Sequence, residues 1–196
     1  MIIGIAGKIG SGKSHIGKYI AEQTGFRLIK LDYQAGQVAN TFLIKQSLQK
    51  KIKRKIPKPY EDMQLFPLLK NLNEDFNKFS ISVFIYLLNK KLNKIIKDAR
   101  KKNENILVDF LSLPLLKSVK HFDAVYLVKS DDEKRFEYLG ARDGMTPEEA
   151  ENQEKYLVPY YAKNEDYPFD DIIFNDYQNV PDNVERIIEK LKDVDF

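Results

Sequence analysis

The sequence predicts an α/β fold, a doubly wound and mostly parallel sheet of five strands, and three observations predict it. Short apolar runs alternate along the chain with helix-periodic segments. The runs are nearly all apolar rather than alternating, which is what a parallel sheet covered on both faces demands. The first run leads directly into Gly7-Lys8-Ile9-Gly10-Ser11-Gly12-Lys13-Ser14, which fits G-x-x-x-x-G-K-[ST] at every fixed position. That motif belongs between a strand and a helix.

Each element follows in order. Residues 1 to 6 (MIIGIA) read as a buried strand, and 15 to 23 as a helix ended by Gly25. Arg27 to Leu31 is a second strand. A long helix over Ile81 to Ala99 follows from Phe84, Leu88, Leu92, Ile95 and Ala99, spaced by three and four. Ile106 to Phe110 and Ala124 to Val128 are the third and fourth strands. From Asp131 to Tyr161 the chain is polar and reads as helix, turn, helix, with Asp143-Gly144 as the turn. Thr146, Pro147 and Glu149 supply an N-cap, a first-position proline and the second half of a capping box. Asp171 to Phe174 is the fifth strand, and a helix over Val184 to Leu191 follows it.

The loop carries the first functional statement. Its glycines let successive backbone N–H groups converge on phosphate oxygens, and the following helix points its positive end at them. Lys13 places a charge on the β and γ phosphates, and the Ser14 hydroxyl suits Mg²⁺, which prefers oxygen donors. Gly7, Lys8, Ile9, Gly10, Ser11, Gly12, Lys13, Ser14 and the His15 backbone are therefore the expected triphosphate-binding residues, with ATP and Mg²⁺ as ligands.

Composition sets the remaining bounds. The chain has 196 residues, 43% hydrophobic and 31% charged, and fits one domain. No apolar run approaches the roughly 18 residues of a membrane span, and a strand beginning at Ile2 leaves no room for a secretory signal. The expectation is a cytoplasmic protein with no membrane partner. Cysteine is absent, which excludes disulfides, thiolate zinc sites and a cysteine nucleophile. A net charge of +3 is too small to argue for nucleic acid. The basic run from Lys50 to Lys58 has no interleaved aromatics and reads as a solvated face, with a patch for a polyanionic small molecule as the alternative.

Three residues outside the loop are candidates for chemistry. Asp32 follows the second strand and projects toward the loop's crevice, where a carboxylate could orient an attacking hydroxyl; it also fits an N-cap for a helix beginning near Tyr33. Asp109 closes the third strand and is a candidate metal ligand beside Ser14, or a turn cap. Arg142 stands at the tip of the helix pair after the fourth strand, where a closing lid would attach, and its guanidinium suits a transferring phosphoryl group. The alternative for Arg142, and more so for Arg135, is a solvated surface charge.

These residues resemble the dephospho-CoA kinases along nearly the whole chain. The resemblance rests on the loop, Asp32, Pro114-Leu115-Leu116, the strand from Phe122 to Val128, Arg142-Asp143-Gly144 with Glu149-Ala150, and Asp171-Ile172-Ile173-Phe174-Asn175. It implies the P-loop nucleoside/nucleotide kinase fold and transfer of the ATP γ-phosphate to the ribose 3′-hydroxyl of dephospho-CoA, a small-molecule acceptor. It also implies a nucleotide core (1–32, 104–130, 168–196), a helical acceptor-binding region (about 33–103), a lid (about 131–167), and Asn175 at the nucleotide. There are departures. Lys30-Leu31-Asp32 keeps only the second acid of the family's Asp-x-Asp, no His-Pro pair is present, and Tyr138 replaces an arginine four residues before the Arg-Asp-Gly, with Arg135 a stand-in one turn away. The acid near Pro114 also lies farther from that proline than in the family. These differences fall mostly on the acceptor side, so a kinase for another nucleoside or nucleotide, or a nucleotide-dependent regulator without turnover, are the other readings.

Overall fold

The computed structural model describes residues 1–38 and 78–192. The elements are β1 (Ile2–Gly7), α1 (Lys13–Thr24), β2 (Arg27–Lys30), α2 (31–38), α3 (Lys78–Lys101), β3 (Ile106–Asp109), β4 (Ala124–Lys129), α4 (Asp132–Asp143), α5 (Pro147–Glu165), β5 (Asp171–Phe174) and α6 (Val180–Lys192). Two 3₁₀ turns, Leu113–Leu115 and Lys117–His121, join β3 to β4. The five strands form one sheet in the order β2-β3-β1-β4-β5, with every neighbouring pair parallel. This is the doubly wound α/β class.

Burial explains the order. β1 is buried at all six positions and β3 at all four, so they form the centre. One face packs Ile2, Ala6, Val108, Val125 and Leu127 against Phe84, Leu88, Leu92 and Ile96 of α3. The other packs Ile3, Ile5, Leu107, Tyr126 and Ile173 against Ile16 and Ile20 of α1 and the apolar stripe of α6. Each such aliphatic removed from water contributes roughly 1.5–3 kcal/mol before chain entropy is charged against it.

The structure corrects four expectations. Leu31 is not in β2, because Lys30 pairs with Asp109, the last residue of β3, and the ladder has no further partner. The chain turns there into α2, so Asp32 lies in that helix's first turn and is not the N-cap of a helix starting at Tyr33. On α3 the buried stripe runs through Ile96, with Ile95 only partly buried, because 92 to 96 is the i, i+4 step that stays on one face. Coverage of both faces holds for the central strands alone. β5 is an edge, and its Ile172 and Phe174 are 45% and 60% exposed.

The basic run between Lys50 and Lys58 and most of the helical region assigned to 33–103 lie outside the described residues. Among the described residues, no helix is long and apolar enough to cross a membrane.

Candidate active site

The loop lies at the carboxyl end of β1, at the centre of the sheet and at the point where the chain reverses its direction across it. Gly10 and Gly12 have φ of 81° and 82°, backbone that side-chain-bearing residues rarely adopt. Both are also sterically closed. A Cβ on Gly12 would collide with Asn175 Nδ2, and one on Gly10 would lie 2.8 Å from Leu139 Cγ and 2.9 Å from Arg135 Cγ. The first turn of α1 has no side-chain cap and no acidic residue. Its orphan N–H groups and positive dipole end are thus left for an anion. Lys13 is buried beside the loop, its Nζ 3.5 Å from the Lys8 carbonyl oxygen.

Three side chains hold the loop from outside. Asn175 Nδ2 donates to the Ser11 carbonyl at 2.9 Å, and its Oδ1 accepts from the Tyr177 N–H at 3.2 Å. The amide placed at the nucleotide by resemblance is thus committed to the loop itself. Arg135 is only 1% exposed: its Nη1 donates to the Ile9 carbonyl at 3.1 Å and its Nε and Nη2 grip Asp132 Oδ1 at 3.0 and 2.8 Å. It is not a solvated charge, because the loop carbonyl and the Asp132 carboxylate satisfy its donors as it is buried. Tyr177 Oη donates to the Gly10 carbonyl at 2.6 Å and lies 3.0 Å from Ser130 Oγ. Burial pushes its phenol above the usual range, so it keeps its proton through neutral pH.

Two acids lie beneath the loop on the β2–β3 side. Asp109 is buried at the end of β3, with Oδ1 lacking a hydrogen-bond partner. Asp32 is half-buried as a residue, but its carboxyl end is enclosed and its Oδ1 is likewise unpartnered. Desolvation raises the Asp32 pKa from 3.8 to about 6; Lys13 and Lys30 oppose the rise and Asp109 adds to it. Lys13, Asp32 and Asp109 are therefore one electrostatic group. Buried carboxylate oxygens without donors are costly, and a cation or an incoming hydroxyl would satisfy them.

The remaining candidates are more peripheral. His15 is exposed on α1, and its backbone N–H donates to the Gly12 carbonyl at 3.0 Å. Arg142 lies in the last turn of α4, one turn beyond Leu139, with its Nε bonded to Asp143 Oδ1 at 2.7 Å and its guanidinium 5.6 Å from the Tyr138 ring. A cavity of about 740 Å³ opens on the other flank of the loop, toward β4 and β5, lined in part by Lys8, Ser11, Ser130, Arg135 and Phe174. Neither Asp32 nor Arg142 lines it. The cavity thus marks the β4–β5 flank and the acids mark the β2–β3 flank, with the loop between them.

Two of the three braces were misread from sequence or missed. Arg135 gave a signal in its place within the helix after β4. Tyr177 gave none, since a tyrosine three residues past a strand is unremarkable until its φ of 65° and its contact with Gly10 are known.

A model of the AAA domain family matches residues 3–158. A dephospho-CoA kinase of Streptococcus agalactiae serotype Ia is 30% identical, over 83% of this chain and 84% of its own. That of Fusobacterium nucleatum subsp. nucleatum is 28% identical over 97% and 98%. Among solved structures, a dephospho-CoA kinase from Campylobacter jejuni superposes with a TM-score of 0.61 at 17% identity, covering 97% of this chain and 96% of the other, a likeness of fold. With the loop built as a phosphate cradle and the similarity running the length of the chain, this protein belongs to the dephospho-CoA kinase family of P-loop proteins.

Proposed function

We propose that this protein transfers the γ-phosphate of ATP to the ribose 3′-hydroxyl of dephospho-CoA. The observation that carries the reading is the convergence of Lys13, Asp32 and Asp109 beneath a phosphate loop, in a chain whose relatives bear that name. In this reading the loop amides and Lys13 hold the β and γ phosphates. Asp32, ionised, orients the acceptor hydroxyl and accepts its proton as the oxygen bonds to the γ phosphorus and the bridging β–γ oxygen leaves with ADP. Asn175, Arg135 and Tyr177 keep the loop in shape rather than touching the nucleotide.

The residues present fit Mg²⁺, since the orphaned Oδ1 of Asp109 and the Ser14 hydroxyl are hard oxygen donors. When bound, the ion neutralises charge on the transferring phosphates. Arg142 is assigned to a lid formed by α4 and α5. To reach the phosphates it must exchange its Asp143 partner for them.

The test is ATP consumption by the purified protein with dephospho-CoA beside a panel of nucleosides and nucleotides, with binding of each measured at equilibrium. Turnover with dephospho-CoA supports the reading. Turnover confined to another acceptor, or binding with no turnover, overturns it in favour of a different small-molecule kinase or a nucleotide-dependent regulator.

A further inference from the structure

Tyr177 combines three features that local structure alone does not require. Its backbone is left-handed, φ 65°, where a side chain costs of order 1 kcal/mol that glycine would avoid. Its hydroxyl reaches the Gly10 carbonyl at the middle of the loop. Its ring stacks on Tyr138 of α4, with centroids 5.3 Å apart and planes at 27°. Since a carbonyl can only accept, the phenol proton goes to Gly10, and the Ser130 hydroxyl at the end of β4 is left to donate to the phenol oxygen. One side chain therefore contacts the loop, the strand end that leads into α4, and α4 itself.

Resting on the reading above, we propose that Tyr177 is a positioning residue that ties the conformation of the phosphate loop to the placement of helix α4. Gly10 is the hinge of this tie. Arg135 and Leu139 of the same helix close on its Cα from one side while the phenol holds its carbonyl. A displacement of α4 must then move either the stacked ring or the Gly10 peptide, and the loop's anion-holding geometry moves with it. The strained backbone is retained because only a long side chain carrying a donor at its tip spans from residue 177 to residue 10 while leaving a ring face for Tyr138.

Tyr177→Phe keeps the ring and the strain and removes only the hydroxyl; Tyr177→Gly removes the strain and the whole tie. Amide hydrogen exchange of the nucleotide-free protein reads the tie directly, over residues 7–14 and 132–143. ADP affinity reads its consequence, with Lys13→Ala as the control for the loop's role. We expect Tyr177→Phe to speed exchange several-fold in both segments at once and to weaken ADP binding about tenfold, the size of one lost hydrogen bond of favourable geometry. Tyr177→Gly should behave at least as badly despite its easier backbone. Wild-type exchange in either segment for both variants, or wild-type exchange and affinity in Tyr177→Gly, overturns the tie. Should Lys13→Ala also bind ADP as the wild type does, the donor reading of the loop fails separately, and the exchange result alone decides the tie.

Discussion

Asp32 is held where its charge is costly and, in the proposed reaction, where its charge is needed. Its pKa of about 6 lies above the unfolded value of 3.8, so the folded state binds the proton more tightly. The stability this contributes is full below pH 3.8 and is lost as pH rises through about 6. A gap of two units corresponds to about 3 kcal/mol of destabilisation once the carboxylate is ionised. Asp32→Asn should therefore raise Tm at pH 7.5 by several degrees, read by calorimetry, while lowering turnover on the order of 10²-fold with ATP affinity nearly unchanged. The wild-type rate should fall as pH drops through about 6, and that break should vanish in the variant. A variant that loses stability and keeps its rate would show Asp32 to be structural. Lys13→Ala tests the other half of the group. If its charge stabilises the transition state, transfer should disappear while the protein stays folded. Of these residues, Lys13 was legible at once, because the loop motif is local. The unpartnered oxygens of Asp32 and Asp109 were not, because they depend on how two strands end side by side.

At the scale of elements, what the sequence discloses depends on how far apart the interacting residues lie. The capping box at the start of α5, with Glu149 N–H donating to Thr146 Oγ1 at 3.2 Å and Thr146 N–H to Glu149 Oε2 at 2.8 Å, was readable because its partners are three residues apart. The left-handed Gly25 and Gly144 that end α1 and α4 were readable for the same reason. Arg135 was misjudged because its burial depends on the Ile9 carbonyl, 126 residues earlier in the chain. Two arginines on one helix thus have opposite surroundings, one enclosed by the loop and one paired with Asp143 at the rim. If Arg142 closes on the phosphates, Arg142→Lys keeps the charge and loses the fork, and should slow transfer almost as much as Arg142→Ala. Rates of both variants with dephospho-CoA check this, and near-normal rates in both would leave Arg142 a surface ion pair.

For the whole molecule, the five runs and their order of appearance were enough to state a parallel doubly wound sheet, since continuous apolar strands have few other folds open to them. The strand order was not legible, and with it went the difference between covered centre and open edge that leaves Phe174 exposed. Nor was the dependence of the loop on the far end of the chain. Residues 7–14 are synthesised long before Asn175 and Tyr177, which set the Ser11 and Gly10 carbonyls and come more than 160 positions later. A ribosome-bound chain halted before residue 175 carries the complete glycine-lysine motif and none of its supports from β5 onward. Stalled chains of increasing length should therefore gain ADP binding abruptly once residue 177 has left the exit tunnel, rather than gradually after residue 14. During synthesis, then, the loop should gain its full grip on a nucleotide only after the segment beyond β5 has packed back against it.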